Sequence, residues 1–223
     1  MSIGIGVTLP DGALLIADGR QIRFLAENKA PVDDIDKIIK VSESVYSIPF
    51  GVTLVTHYTI QELQNAPLLI SPEDLSGRVE MALNEGWQDF WSKLAPDVDL
   101  KHPGLKAAII TGGILNHEFF IAGSLCGNHS YTPPMLHKKH SQFQVLGGEK
   151  QNATELLIRT SASQARGVKW DYSTGPLNQT VKAILEAAKS VIRLVESQDE
   201  SVGGLIRYAV IRKNYPVLKE ILD

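Results

Sequence analysis

The order of the predicted helices and strands limits the possible folds of this chain more than any single motif does. Strands come first, followed by two helices, more strands, two further helices and a last strand. A sheet that buries one face under helices needs an apolar surface against its other face, and a second sheet provides one. We therefore expect an α+β fold with four layers, an αββα sandwich of two sheets flanked by helices. No shift in composition marks a linker, so we expect a single domain over residues 1–223.

Short apolar runs predict two pairs of strands near the N-terminus. Pro10-Asp11-Gly12 joins the first pair and is a typical turn sequence, with glycine supplying a positive φ. The predicted strands are Ile3–Leu9, Ala13–Asp18, Ile38–Val41 and Val45–Pro49. The polar, irregular segment Gln21–Asp36 between the two pairs is expected to be a loop.

The helical patterns have recognisable boundaries. Ser71 is a suitable N-cap, Pro72 suits a first turn, and an apolar stripe at helical spacing continues this helix to about Leu94. The other predicted helices are Thr56–Asn65, Lys150–Ser163 and Leu177–Glu196. Further strands are predicted at Leu105–Thr111, Glu118–Ala122, Phe143–Leu146 and Leu205–Ile211, the last followed by a short tail. Gly112-Gly113 is the natural turn between the first two of these strands.

The composition argues against several classes of protein. The 223 residues carry 22 Lys+Arg against 25 Asp+Glu and contain no dense basic tract, which argues against nucleic acid as the main partner. No apolar run approaches the roughly 18–20 residues that a membrane-spanning helix needs, and the first residues lack the basic and apolar parts of a secretory signal. The single cysteine, Cys126, forms no internal disulfide and makes no metal site alone. The sequence thus predicts a cytoplasmic protein without membrane contact, cofactor or metal.

The N-terminus contains a candidate nucleophile. Methionine before a small residue is normally removed in cells, and its removal would leave Ser2 with a free α-amine. A serine hydroxyl needs a base within hydrogen-bond reach, and an α-amine, whose reference pKa is about 7.7–8, can take its proton near neutral pH. A neighbouring cation would lower the pKa of that amine. Asp18 and Lys37, at the end and the start of predicted strands, are candidates for the charges around it.

The segment Gly6–Arg20 matches a known opening hairpin. Its second strand ends in Asp-x-Arg, at Asp18 and Arg20, and Ser2 lies four residues before its first glycine. This arrangement resembles the start of the 20S proteasome β-subunits and of their relatives HslV and Anbu, which are N-terminal-nucleophile hydrolases. On that register Ser2 falls on the nucleophile position, and Arg20 falls on a supporting position.

Three further features carry the same resemblance. Asp36–Val41 is similar to the family's lysine followed by a hydrophobic strand, and Gly51, fourteen residues after Lys37, has the family's spacing to the oxyanion-hole glycine. Asp199–Ile211 is similar to the closing loop and strand. The resemblance therefore spans both ends of the chain, whereas residues 52–146 match only in their pattern of helices and strands.

The resemblance implies two antiparallel sheets in the αββα sandwich and a peptidase mechanism. Ser2 would attack a peptide carbonyl with its own α-amine as the base, and water would hydrolyse the resulting acyl-enzyme. Lys37 would lower the pKa of the amine and of the hydroxyl, and Asp18 would hold Lys37 in place. The N–H of Gly51 would stabilise the tetrahedral oxyanion, and Asp199 would support the terminal amine.

Three positions depart from the family pattern. The family prefers threonine where Ser2 stands, and serine lacks the methyl group that restricts the side chain. One supporting serine is replaced by Gly147 or Gly148. The other aligns with Val202, and Ser201 is its nearest substitute.

The function implied by the resemblance is a proteasome-like peptidase that acts on peptides or unfolded proteins. Pro49 and Thr53, which flank Gly51, would form a modest apolar pocket for small or medium apolar side chains. A homo-oligomer, as a ring or related multimer, is implied, while its size and any ATPase partner stay open. Two alternatives remain: a catalytically silent structural subunit with the proteasome fold, which the missing serines favour, and a small-molecule amidase of the same chemistry.

Two other features offer weaker chemistry. Cys126 is a second candidate nucleophile, but a lone cysteine is more often an inert buried thiol. His137 and His140 flank two lysines that would repel a metal ion, so this segment is expected to be a basic surface loop.

Overall fold

The computed structural model describes residues 2–25, 28–66, 70–94, 105–127, 131–139, 142–147 and 175–222. Within these ranges the protein is mixed α/β, with two five-stranded antiparallel sheets, a two-stranded hairpin and three helices. The strands are β1 Ile3–Leu9, β2 Gly12–Ala17, β3 Gln21–Leu25, β4 Asn28–Val32, β5 Ile39–Ser42, β6 Val45–Gly51, β7 Lys106–Leu115, β8 Glu118–Gly127, β9 Tyr131–His137, β10 Phe143–Gly147, β11 Ile206–Arg212 and β12 Leu218–Leu222. The helices are α1 Thr53–Asn65, α2 Pro72–Leu94 and α3 Gln179–Glu196.

The opening hairpin lies at the centre of the first sheet, whose strand order is β10-β1-β2-β11-β12. Every residue of β1 and β2 is buried, because both faces of these strands are covered. On one face, Ile3 and Ile5 belong to a core cluster with α3. On the other face, Gly4 leaves room for Phe50, whose ring atoms would lie 2.0 Å from an added Cβ. The two predicted strands of this hairpin are confirmed, and their continuous apolar runs reflect burial on both sides.

Helix α3 begins and packs as its sequence predicts. The Asn178 side chain caps the helix and accepts a hydrogen bond of 3.0 Å from the N–H of Val181. Val181, Leu185 and Ile192 recur at helical spacing and are buried against the first sheet. Each such side chain contributes roughly 1.5–3 kcal/mol by leaving water, so this face fixes the helix on the sheet.

The second sheet, in the order β5-β6-β7-β8-β9, packs against α1 and α2. The predicted start of α2 is confirmed, since Ser71 Oγ accepts a hydrogen bond of 3.1 Å from the N–H of Asp74. Leu75 and Val79 of this helix are buried in one cluster with Phe120 of β8. A different cluster joins the two sheets, and it includes Leu15 from the first sheet and Phe50 from the second.

The prediction of a loop over Gln21–Asp36 is wrong, because β3 and β4 form an antiparallel hairpin there. This hairpin pairs as a two-stranded sheet of its own. The alternation of polar and apolar residues in Gln-Ile-Arg-Phe-Leu, residues 21–25, is a strand signal, but it is short and is followed by the polar segment Glu27–Lys29.

The prediction of a turn at Gly112-Gly113 is also wrong, because both glycines lie inside β7. They are there for close packing: a Cβ on Gly113 would lie 2.0 Å from the carbonyl oxygen of Ser44, and one on Gly112 would lie 2.5 Å from the Ile121 side chain. The turn to β8 falls at Asn116 and His117, whose φ angles are 46° and 66°. Asparagine tolerates this conformation, which suits a two-residue hairpin turn.

Three smaller differences concern the bounds of other elements. Helix α1 begins at Thr53, one turn before the predicted start. Strand β9 extends to His137, at the start of the expected basic loop, and β12 occupies the expected tail. The predicted helix Lys150–Ser163 lies outside the described residues.

Candidate functional site

The structure brings Ser2, Asp18 and Lys37 together at one end of the β1–β2 hairpin in the first sheet. Ser2 directly precedes β1, Asp18 directly follows β2, and Lys37 lies between β4 and β5. Lys37 Nζ donates to Ser2 Oγ at 2.5 Å, to Asp18 Oδ1 at 3.1 Å and to the carbonyl oxygen of Arg20. The three N–H bonds of the ammonium are therefore each directed at an acceptor, and one of these acceptors is the hydroxyl of Ser2.

Asp18 is held by donors on both carboxylate oxygens and is 1% exposed. Oδ1 accepts from the N–H of Ile3 at 2.8 Å and from Lys37. Oδ2 accepts from the N–H groups of Gly203 at 3.2 Å and Arg20 at 3.3 Å. Burial raises the pKa of Asp18 above its ordinary value, while Lys37 and the backbone donors oppose that rise. Because every partner donates a proton, the ionised carboxylate is the form that satisfies the site.

Lys37 carries its charge in a poorly hydrated position. Its side chain is 6% exposed and faces the fully buried side chain of Asp18. Burial lowers the pKa of Lys37 below the ordinary 10.5, and the charge of Asp18 opposes that shift. A buried ammonium that donates to a hydroxyl oxygen favours the alkoxide form of that hydroxyl, so Lys37 can activate Ser2 electrostatically.

Gly51 ends β6 in a conformation that other residues avoid. Its φ is +79°, and an added Cβ would lie 1.8 Å from the carbonyl oxygen of Lys106 on the paired strand. Both the left-handed backbone and the close approach require glycine. Gly51 lines the same cleft as Ser2, so the glycine-specific backbone and the candidate nucleophile face one space.

The closing loop reaches the site through its backbone. Gly203 donates to Asp18, as described above, and Arg20 Nη1 donates to the carbonyl oxygen of Val202 at 3.2 Å. Asp199 is half-buried, and its Oδ1 accepts from the N–H of Ser201 at 2.9 Å and from its hydroxyl at 2.5 Å. The loop that carries Asp199 and Ser201 is thus attached to Asp18 and Arg20.

Of the remaining predicted supporting positions, the structure places one, Gly147, next to Ser2. Gly147 pairs with Ile3 across the first sheet, which places it beside the residue that follows Ser2. Gly148 lies outside the described residues. Val202 is fully buried in the apolar cluster with α3, and its side chain provides no polar group.

A cleft of about 200 Å³ opens at Ser2 and contains both predicted pocket residues, Pro49 and Thr53. Its walls are mostly apolar or small. The lining residues are Ser2, Gln21, Ile35, Asp36, Lys37, Ile39, Pro49, Phe50, Gly51, Thr53, Thr56, His57 and Ile60.

One face of α1 lines the cleft, and the sequence analysis did not predict this face as part of the site. Thr53, Thr56, His57 and Ile60 follow the spacing i, i+3, i+4 and i+7, which places them on one side of a helix. The prediction began this helix at Thr56, so its first turn and the shared face were not recognised. A correct helix start directly after Gly51 would have identified them.

The structure provides little support for chemistry at the two other candidate sites, Cys126 and the segment from His137 to His140. Cys126 is 6% exposed, lies in a cluster with Trp87 and Leu83, and has a pKa raised by burial, which disfavours its reactive thiolate form. Lys138, in the predicted basic segment, forms ion pairs with Glu73 at 2.8 Å and Glu118 at 2.6 Å. Among the described residues, no group of three or more His, Cys, Asp or Glu is placed to bind a metal ion.

Comparison with known proteins supports the fold. No family model matches the sequence, and no curated protein matches it. Among solved structures, the chain is similar to "Helical Assembly of the Anbu Complex from Pseudomonas aeruginosa", with a TM-score of 0.65 and 18% identity over 99% of this chain and 85% of the other. At this identity the likeness shows a shared, proteasome-like fold alone.

No helix within the described parts of the chain combines the length and the apolar character needed to cross a membrane.

Proposed function

We propose that this chain is a proteasome-like peptidase that uses Ser2, freed by the removal of Met1, as an N-terminal nucleophile. One observation carries the proposal: Lys37 Nζ lies 2.5 Å from Ser2 Oγ and 3.1 Å from Asp18 Oδ1, and both Ser2 and Lys37 line a cleft. A buried lysine that shares its protons between a carboxylate and an accessible hydroxyl is costly to maintain without a chemical role. The same three positions are those that the family resemblance assigns to the nucleophile, its cation and the support of that cation.

The proposed reaction proceeds in two displacements. The α-amine of Ser2 takes the proton of Oγ as Oγ bonds to the carbonyl carbon of the substrate, which forms a tetrahedral oxyanion. The C–N bond then breaks, the resulting amine leaves with the proton from the α-ammonium, and an ester remains on Ser2. Water attacks this ester with the α-amine again as the base, releases the acid product and restores the hydroxyl.

Two groups stabilise charge along this path. The ammonium of Lys37 faces Oγ and favours the negative charge that develops there during attack. The N–H of Gly51 is proposed to bind the oxyanion, since only glycine fits the left-handed backbone at this edge of the cleft. A single oxyanion-hole donor of this kind is typically worth about 3–4 kcal/mol in the transition state.

The cleft favours small or medium apolar side chains next to the cleaved bond. Ile35, Ile39 and Pro49 supply apolar walls, and the volume of about 200 Å³ limits the size of the occupant. Substrates are therefore proposed to be peptides or unfolded protein segments with such residues before the cleaved bond. Asp199, Ser201 and Arg20 are proposed to hold the loop near the terminal amine.

The architecture proposed for the whole chain follows from its packing. Helix α3 covers one sheet, α1 and α2 cover the other, and the sheets share a cluster, which supports a single αββα domain over residues 1–223. The similar Anbu structure is a helical assembly, and this supports a homo-oligomer for the present chain.

A catalytically silent structural subunit is the second candidate. It is favoured by Val202, which is fully buried and occupies the position of a supporting serine. A small-molecule amidase would share the chemistry of Ser2 but would not require an oligomer, so a sizing column separates it from the peptidase.

The decisive experiment is the intact mass of the protein after incubation with a peptidyl epoxyketone that carries an apolar residue beside the reactive group. This probe needs both the hydroxyl and the free α-amine to form its ring adduct. The proposal expects loss of Met1 and one adduct per chain. Ser2→Ala is the matched control, because alanine also allows removal of methionine but lacks the hydroxyl.

Each outcome separates the candidates. Adduct on the wild type and none on Ser2→Ala supports the peptidase. Retained Met1 without an adduct supports the silent subunit, and an adduct that persists in Ser2→Ala removes Ser2 as the nucleophile. Hydrolysis of a fluorogenic peptide, also lost in Ser2→Ala, extends the result from labelling to turnover.

A further inference from the structure

The backbone on both sides of Lys37 is fixed by neighbouring polar groups. Asp36 Oδ1 accepts a hydrogen bond of 3.1 Å from the N–H of Ile38, so the carboxylate bridges across the intervening lysine. The other carboxylate oxygen, Oδ2, accepts from Lys219 Nζ. Lys219 Nζ also donates to the carbonyl oxygen of Ile38 at 2.6 Å. One ammonium therefore holds the residue before Lys37 and the residue after it.

Lys219 belongs to a part of the chain far from this segment in sequence. It lies in β12, the edge strand of the first sheet, which pairs only with β11 within the described residues. Its side chain is 31% exposed, and that of Asp36 is 47% exposed. Ion pairs with this exposure add little to the stability of a fold, so the geometry of the contact is its more informative property.

The residues that precede Asp36 are held from the same hairpin. Arg207 of β11 donates to the carboxylate of Asp34 and, at 3.3 Å, to the carbonyl oxygen of Ile35. The N–H of Ile35 donates to the carbonyl oxygen of Gly19 at 3.0 Å. The hairpin of β11 and β12 thus contacts Asp34 and Ile35 through Arg207, and Asp36 and Ile38 through Lys219. The stretch from Asp34 to Ile38 includes three lining residues of the cleft.

We infer that Lys219 is a positioning residue for the reaction at Ser2: by holding Asp36 and Ile38 it fixes the backbone of Lys37 and thereby the place of Lys37 Nζ against Ser2 Oγ. The inference rests on the proposed function of the site. It adds a residue that lies outside the sequence motifs of the site.

The length of the lysine side chain explains why the contacts of Lys219 with Asp36 and Ile38 affect the position of Lys37 Nζ. Nζ lies at the end of four methylene groups, so a small rotation of the Lys37 backbone displaces Nζ by a larger distance. A displacement of about 1 Å can cost on the order of 100-fold in rate. Loss of a brace that leaves the Asp18 and Ser2 contacts in place should cost less, and we expect roughly tenfold.

The test compares three variants in epoxyketone labelling. Lys219→Met removes the ammonium and keeps most of the apolar stem, whereas Lys219→Arg keeps a cation that can reach both acceptors. Lys213→Met is the matched control, because Lys213 is an exposed lysine in the turn of the same hairpin. The limiting rate of adduct formation and the half-saturating probe concentration are measured separately, below the melting temperature of every variant.

The expected result for Lys219→Met is a fall of about tenfold in the limiting rate, with the half-saturating concentration changed less than about twofold. Lys219→Arg should recover most of the rate, and Lys213→Met should match the wild type. Equal rates for Lys219→Met and Lys213→Met would overturn the inference. A change confined to the half-saturating concentration would also overturn it, because the brace would then act on probe binding.

A second readout keeps the inference testable if the wild type forms no adduct and the proposed function fails. The pKa of Lys37 is followed by NMR of protein labelled with ¹³C at lysine Cε, with Lys37→Arg used to assign the signal. Lys219→Met should raise the lowered pKa of Lys37 towards its ordinary value, because a loosened side chain is better hydrated, and Lys219→Arg should restore it. An unchanged titration of Lys37 in Lys219→Met would refute the positioning role irrespective of activity.

Discussion

The substitution Asp18→Asn should be far more costly than its small change in shape suggests. The four groups that contact the Asp18 carboxylate are all donors: the N–H groups of Ile3, Arg20 and Gly203 and the ammonium of Lys37. An amide presents one oxygen and one NH₂ group, so in either orientation two of these donors face N–H instead of oxygen. Lys37, with 6% of its side chain exposed, also loses its counter-ion. Breaking one side of a buried pair costs about 3–5 kcal/mol, and this is the expected loss in the free energy of unfolding.

A double-mutant cycle measures the part of this cost that belongs to the pair. Lys37→Met leaves the buried carboxylate without its cation, while Asp18→Asn with Lys37→Met leaves no buried charge. The double variant should therefore lose less free energy than the two single losses added together, with a coupling of about 2 kcal/mol or more. Equilibrium unfolding in urea gives each value, provided that the slope with denaturant is the same for all four proteins.

An exposed pair provides the control for burial. Lys93 Nζ lies 2.8 Å from Asp89 Oδ1, closer than Lys37 lies to Asp18, but the two side chains are 70% and 56% exposed. The corresponding cycle with Asp89→Asn and Lys93→Met should give a coupling close to the detection limit. Additive losses for Asp18 and Lys37, within about 0.5 kcal/mol, would refute the argument that burial makes this pair strong.

Three further outcomes are expected. Gly51→Ala should abolish labelling and lower the free energy of unfolding, measured in urea, by more than about 2 kcal/mol. The φ of +79° disfavours alanine, and the new Cβ would meet the Lys106 carbonyl oxygen. Unchanged stability and labelling in this variant would contradict the argument. The labelling rate should rise with pH as the α-amine loses its proton. On the alkaline side the rate should fall again at a pH lower than 10.5, because burial lowers the pKa of Lys37 and its neutral form stabilises the alkoxide less. Lys37→Arg should move this alkaline fall in rate to higher pH. Burial and the hydrogen bond to Glu220 raise the pKa of Tyr208 to about 12, so Tyr208→Phe should leave the tyrosinate absorbance at about pH 11 unchanged.

Local signals explain which parts of the fold the sequence predicts. The turn Pro10-Asp11-Gly12 joins β1 to β2, and the caps Ser71 and Asn178 begin helices, because each depends on residues within a few positions. The hairpin of β3 and β4 and the strand β12 were not predicted because their apolar residues are interspersed with polar ones over only five positions in each strand. Gly112 is predicted as part of a turn, whereas its role is to leave room for the Ile121 side chain of the neighbouring strand. A glycine is expected in both situations, so the sequence alone does not show which one applies.

The site divides in a similar way. The family resemblance predicted Ser2, Asp18 and Lys37 as a group, and the structure brings them into contact. The resemblance could not predict the role proposed for Lys219. Its contact with the carbonyl oxygen of Ile38, next to Lys37, joins residues 181 positions apart and follows from the register of an edge strand. Residues that touch the chemistry can be recognised by type and spacing, whereas residues that position them depend on the assembled sheet.

The two ends of the chain are therefore needed together before the site is complete. Asp18 takes one of its donors from Gly203, and the segment before Lys37 is held by Arg207 and Lys219, all from the closing loop and the last hairpin. A chain that had formed only its N-terminal elements would contain Ser2 and Lys37 but would lack these contacts, and the ammonium would be free to take other positions. Since the proposed activation of Ser2 depends on the position of that ammonium, we expect it to require closure of the first sheet by β11 and β12.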